Sequence, residues 1–360
     1  MREVPNGPGR CVEAMASALS RIALAWLSVT IIAAGRSQAQ TPSPARWVLL
    51  YPCDGRPQWM PYSRAQLLRY VAAVDSAGRP TAWLSNGAIV LALYARSGHT
   101  FAPWIPGTPS GGGDWEDYLD CLLGPGGAFD RLDSALTDAE RILPRREPYR
   151  VAVMIPYPDS NAGVTRFAGV DYALGGRDGR VHAADAYTQE VVRRFGERRG
   201  SQLTLDGMYW LHEDAYPRDS GLVHGVAQAV HSHHVRFLWI PYYGELAGGW
   251  ARWRELGFDE AWLQPNYFFS RGVPATRIDS AVARARSAGM GFEIEFNGRL
   301  IDVPPYADRL LPYLVALRGD SALRQGSLAL FDGGGALVAL AASRDPLYRA
   351  LYGMLVEVMQ

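Results

Sequence analysis

Two glutamates carry the chemistry this sequence offers. Glu213 closes the stretch Asp206-Gly-Met-Tyr-Trp-Leu-His-Glu213, and Glu295 lies in Phe292-Glu-Ile-Glu-Phe-Asn297. Cleaving a glycosidic bond takes one protonated carboxyl, which donates to the leaving oxygen, and one ionised carboxyl, which attacks or activates water. Their environments must push the two pKa values apart. Glu213 follows the aromatic pair Tyr209 and Trp210, where loss of water favours the protonated acid. Glu295 has Arg299 close by in sequence, and a guanidinium there is expected to keep it ionised. Glu293 competes for the second role. It is two residues from Glu295, so on a strand both side chains share one face. Glu295 is expected nearer the mouth, with Glu293 as a supporting polar group.

The elements that must position these acids follow from the hydrophobic pattern. A continuous apolar run at Trp47–Tyr51 reads as a strand buried on both faces, and the largely apolar segments Ala88–Tyr94, Val151–Ile155, Leu205–Trp210, Val235–Ile240, Glu260–Gln264, Gly291–Phe296 and Ser327–Phe331 read as seven more strands. Helical periodicity separates them, as in Ser63–Asp75, Ala183–Arg198, Ser220–His233 and Thr276–Ala288. Strict alternation requires parallel neighbours joined by crossovers. The expected fold is therefore an α/β (β/α)8 TIM barrel, one domain over residues 47–360, with insertions after strands two and three. An open doubly wound sheet is the alternative, but no Gly-rich phosphate turn follows the first strand. Trp104 and Trp115, in or beside the first insertion, could wall a cleft.

In such barrels the strand C-termini carry the site. The groups predicted there are Asp54, Arg56, Tyr157, Asp159, His212, Glu213, Asp214, Tyr242, Tyr243, Glu245, Gln264, Asn266, Tyr267, Glu293, Glu295, Asn297, Arg299 and Asp332. Acids, amides and tyrosines suit sugars: hydroxyls need acceptors and planar donors, and ring faces need aromatics. Trp210, His212, Tyr242, Tyr243, Gln264, Asn266, Tyr267, Glu293 and Arg299 are the expected substrate contacts. Glu213 and Glu295 are 82 residues apart, about three βα units, which fits strands four and seven. Asp206, at the strand start, belongs to the barrel floor.

Composition narrows the rest. All 36 basic residues are arginine, so chemistry that needs a lysine amine is excluded. The formal charge is zero and no dense basic stretch suggests nucleic acid. His231, His233 and His234 end a helix on the side away from the strand C-termini, where imidazoles interact with the helix dipole. No metal and no cofactor are expected. Residues 1–39 read as a signal peptide, with an apolar run at Ile22–Ala34 and small residues around Ser37–Ala39; the long polar lead is also compatible with a start at Met15. Residues 40–46 form a short linker, and no later segment would enter a membrane. Export to the periplasm or the medium permits a bridge between Cys53 and Cys121, the alternative being two buried thiols. The oligomeric state is not legible.

Several blocks resemble a known family. Asp206–Glu213, Leu238-Trp-Ile-Pro-Tyr-Tyr243, Gly257-Phe-Asp259, Gln264-Pro-Asn-Tyr-Phe-Phe269 and Gly291–Glu295 look like the bacterial domain-of-unknown-function 4855 family, from about Trp47 to the C-terminus. The resemblance implies an exported protein similar to barrel-type glycoside hydrolases. The arrangement of the two acids is similar to retaining glycosidases with the acid on strand four and the nucleophile on strand seven. The expectation is an exported hydrolase of a polysaccharide or glycoconjugate. Its rivals are a carbohydrate-binding or envelope protein on the same barrel, and a carbohydrate lyase using Tyr242 or Tyr243 as base.

Overall fold

The computed structural model describes residues 44–56, 62–144, 147–216, 219–244 and 248–360. Residues 1–39, read above as a signal peptide, lie outside them, as does Glu245. Eight parallel strands close into a barrel: β1 (Arg46–Leu50), β2 (Gly87–Val90), β3 (Tyr149–Ile155), β4 (Leu203–Trp210), β5 (Arg236–Trp239), β6 (Glu260–Leu263), β7 (Gly291–Glu295) and β8 (Leu328–Phe331). Each pairs with its sequence neighbour, and β8 returns to β1 through Arg46↔Leu328 to Val48↔Leu330. This is the (β/α)8 barrel that the eight apolar runs predict. Strands walled by helices on one side and by the lumen on the other carry few polar residues, so Leu49, Ile89, Val153 and Leu263 are all buried.

At the foot of the barrel Asp206 pairs with Arg236 at 2.9 Å, and Arg236 also reaches Glu260. Asp206 is thus a floor residue, as its position at the strand start suggests. The helix expected over Ser63–Asp75 stops earlier. It runs Arg64–Val71, with Ser63 and Gln66 forming a capping box, and the next residues leave it to pair as a strand, Ala72–Val74, with Pro80–Trp83. Asp75 holds the turn between them by accepting from Ala77 N and Arg79 N. Two helices follow β8, Ala336–Ala342 and the terminal Pro346–Met359.

The two insertions are packed against each other. The second carries a hairpin, Val164–Phe167 with Val170–Ala173. Thr165 Oγ1 accepts from Gly112 N, and Phe167 meets Trp115 and Tyr187. Trp115 is therefore a core residue, 1% exposed, with Nε1 donating to Ser110 Oγ; it walls no cleft. Cys53 and Cys121 are joined, tying the turn after β1 to the helix Gly112–Leu123 across 68 residues. A loop of that size constrains the unfolded chain, so reduction or Cys53→Ser with Cys121→Ser is expected to cost about 2–4 kcal/mol. Chemical denaturation with and without reductant reads it directly, and an unchanged midpoint would show that the bridge contributes nothing.

Candidate active site

The alternation on β7 sends Glu293 and Glu295 to one face, the barrel lumen, where they are 1% and 0% exposed. Glu295 is held from one side. Its Oε2 accepts from the Tyr313 hydroxyl at 2.8 Å and from Asn266 N at 2.7 Å. Tyr313 is itself fixed, because its oxygen accepts from Tyr267 N and Phe268 N. Asn266 turns its amide inward by adopting φ 49°, a left-handed conformation that asparagine tolerates better than most residues. Burial pushes Glu295 up to about 7, and these donors, with the Gln264 side chain, pull it back by favouring the charged form. Glu293 has no such support. Its Oε2 takes no hydrogen bond from any described group, and burial, with the charges of Glu295 and Glu213, drives its pKa well above the usual carboxylate value.

Glu213 stands in the bend after β4, anchored by its carbonyl, which accepts from Tyr242 N at 3.1 Å. Burial raises its pKa to about 8, helped by the charges of Glu295 and then Asp214. Two phenols share the lumen. Tyr51, just past β1, and Tyr209 on β4 are both buried, and both are pushed well up by burial and then by neighbouring anions, Glu213 and Glu293 among them. Three carboxyls and two tyrosines therefore converge at the strand C-termini.

A flat aromatic surface flanks them. Trp104, from the first insertion and 41% exposed, stacks on the buried His212 with ring centres 5.8 Å apart and planes 17° from parallel. Tyr157 meets the same imidazole edge-on at 5.1 Å, and Arg180 lies over the Tyr157 ring. His212 thus supports Trp104 from below. Gln264 and Tyr242 bridge the gap between the ends of β5 and β6, with Tyr243 N donating to Gln264 O and Gln264 N to Pro241 O.

Other expected contacts are placed elsewhere. Trp210 is 1% exposed and packs between Tyr157 and Phe237, while its neighbour Tyr209 takes the lumen. The Tyr243 ring is clasped by Arg277 and Arg284 at 4.1 and 3.9 Å, which removes it from the role of a free base. Tyr267 lies under Arg309, and only its backbone faces Glu295. Asn266 acts on Glu295 through its amide. Arg299 does not neutralise Glu295: it donates to Phe269 O and Tyr306 Oη, because the short helix Arg299–Asp302 carries it away from the strand end. Glu295 is thus not held ionised by a guanidinium: burial raises it, and the Tyr313 and Asn266 donors offset that rise only in part. Asp54 is bound to Arg56 and accepts from Leu93 N. Asp332 takes the Tyr70 hydroxyl and the amides of Gly334, Gly335 and Leu337, a turn that needs positive φ at Gly333, Gly334 and Gly335. His231 and His233 pair with Asp259 and Asp185. Among the described residues no group of three or more His, Cys, Asp or Glu is arranged to hold a metal ion.

Tyr51, Tyr209 and Tyr313 escape the strand-end reading. Tyr51 and Tyr209 read as ordinary strand aromatics, and Tyr313 comes from a helix, Ala307–Gly319, with nothing local to mark it. Tyr313→Phe tests the arrangement. It removes the donor that favours the charged carboxylate and leaves two amides unmet. Glu295 is expected to titrate above its present value of about 7, and stability to fall by about 1–3 kcal/mol. A side-chain 13C titration and a thermal melt measure both. A Glu295 titration left unmoved would remove Tyr313 from the site.

A cleft of about 430 Å³ lined by Arg46, Trp83, Asn86 and Gln360 opens at the start of β1. That face of a barrel serves stability, and the lumen at the C-terminal end is where chemistry belongs.

Fold and lumen together define a (β/α)8-barrel protein with a carboxyl-lined mouth. Residues 47–357 match the family model described as domain of unknown function (DUF4855), and the chain belongs to that family. Comparison with curated proteins finds no match. Among solved structures the chain is similar to a mutant tryptophan synthase α-subunit from the hyperthermophile Pyrococcus furiosus (10% identity, TM-score 0.40, covering 87% of this chain and 97% of that one). It is also similar to tryptophan synthase from M. tuberculosis (14% identity, TM-score 0.40, 88% and 94%). Neither is a glycoside hydrolase, the kind of protein to which the family resemblance points.

Proposed function

We propose that the protein is an exported glycoside hydrolase acting on a polysaccharide or glycoconjugate, with Glu213 as general acid and Glu295 as the second carboxyl. The observation that carries this reading is the unequal treatment of two acids in one lumen. Glu213 is held protonated near neutrality, while Glu295 is lower and receives donors suited to its anion. Glu213 would give its proton to the glycosidic oxygen as the bond to the anomeric carbon breaks. Glu295 would attack that carbon, and water, deprotonated by Glu213, would then release the sugar. Trp104 on His212 offers a sugar ring an apolar platform beside the acids. The Cys53–Cys121 bridge fits an oxidising compartment, in line with the signal-peptide reading.

The test is a polysaccharide-panel digest by wild type, Glu213→Gln and Glu295→Gln. Cleavage by wild type alone is expected. Cleavage that survives both substitutions removes these roles. Tight glycan binding without any wild-type cleavage would favour a carbohydrate-binding protein instead.

A further inference from the structure

The lumen has an unbalanced charge inventory. Glu213, Glu293 and Glu295 converge there, yet the charges that shift Glu213 are those of Glu295 and Asp214, and those that shift Glu293 are Glu295 and Glu213. No guanidinium of the described residues is among them, and the chain has no lysine. Arg56 is spent on Asp54, Arg299 on Phe269 and Tyr306, and Arg277 and Arg284 on the Tyr243 ring. Hydrolysis requires two carboxyls, so Glu293 is surplus to it.

The unmet hydrogen-bonding capacity has the same sign. Glu293 Oε2 and Glu295 Oε1, on side chains 1% and 0% exposed, have no donor, and the Gln264 Oε1 beside them has none either. With Glu293 ionised, all three are acceptors. An alkylammonium presents three donors and no acceptor. It is also attracted to the faces of aromatic rings, and Tyr51 and Tyr209 share this lumen. A metal ion fits less well, because the described acids are not arranged as a ligand group.

We infer that the lumen recognises a protonated amine, so that the sugar it receives is a hexosamine unit with a free amino group, with Glu293 as its principal counter-ion. The sugar half of this statement rests on the hydrolase reading above; the charge half rests on the lumen alone. An N-acetylated or neutral sugar would leave Glu293 buried and unpaired, whereas an ammonium would satisfy it. A cation entering the lumen stabilises the charged carboxylates, so binding is expected to release protons near neutral pH.

The experiment is calorimetric titration at pH 7 of Glu213→Gln, which cannot donate a proton, and of Glu213→Gln with Glu293→Gln. The probes are α- and β-linked glucosamine and galactosamine oligomers, their N-acetylated counterparts, neutral glucose oligomers, and calcium chloride alone. Amine-bearing oligomers are expected to bind at least tenfold more tightly than N-acetylated ones, with proton release seen across buffers of different ionisation enthalpy. Adding Glu293→Gln should erase that preference while the protein still unfolds in one cooperative transition at a temperature no lower than before. Equal affinity for N-acetylated or neutral oligomers, no binding of any amine-bearing oligomer, or calcium binding that Glu293→Gln abolishes would each overturn the inference. The two proposals fail separately. Selective binding of amines that wild type never cleaves sinks the hydrolase and spares the amine site, and cleavage of neutral glycans without amine preference does the reverse.

Discussion

On the proposed hydrolase mechanism, Glu213→Gln is expected to lower kcat by about 10²–10⁴-fold, the usual worth of a positioned general acid, with KM changed far less. The amide keeps the shape of the side chain and the backbone bond from Tyr242 N; it loses only the proton that the leaving oxygen needs. The loss should therefore depend on the leaving group. A substrate with an activated aryl leaving group, which departs without protonation, should recover much of the first step. A structural role would give the same deficit with every substrate. Glu295→Gln should show no such recovery, since on the same proposal it removes the attacking group itself.

The second large effect is on stability against pH. Glu213 and Glu295 have pKa values near 8 and 7 in the folded barrel, and Glu293 is also raised well above the carboxylate range. In the unfolded chain all three return to about 4.3. Above that pH the unfolded chain releases protons that the folded chain still holds. The stability these groups contribute is thus complete below about pH 4.3, and it drains away as pH rises through 7 and 8. Each tenfold change in proton affinity between folded and unfolded chain corresponds to about 1.4 kcal/mol. Because the three titrate as a coupled set, the expected total is on the order of 5 kcal/mol rather than the sum over sites. Melting curves at pH 5.5 and 9 should differ accordingly. Glu293→Gln, which removes one charge from the lumen, should flatten the dependence and raise the melting temperature most at pH 9. Equal pH dependence in wild type and variant would mean that Glu293 is not held protonated.

The fold was largely legible from the sequence because a parallel barrel strand is buried on both faces and prints a continuous apolar run. Val151–Ile155 and Ser327–Phe331 are such runs, and the structure has strands there. The site was legible only in part. Glu213, Glu293 and Glu295 stand out because carboxyls at the end of an apolar strand are costly to bury without a polar purpose. The direction of neighbouring side chains was not legible. Arg299 is near Glu295 in sequence, but a helix begins at Arg299 and turns it toward Tyr306. Trp210 reads as a ligand contact and Tyr209 as an ordinary strand aromatic, yet strand alternation sends Trp210 to the core and Tyr209 to the lumen. Tyr313 reaches Glu295 from a helix, and a contact made through tertiary packing leaves no trace in local spacing.

The most direct measurement is the pH dependence of kcat/KM for wild type and Glu213→Gln on the glycan that the panel identifies. A bell is expected, with an acid limb near 7 as Glu295 takes up a proton and an alkaline limb near 8 as Glu213 loses one. The alkaline limb should vanish in Glu213→Gln. A wild-type profile without limbs in this range, or an alkaline limb that persists in the variant, would contradict the assignment of Glu213 as the acid.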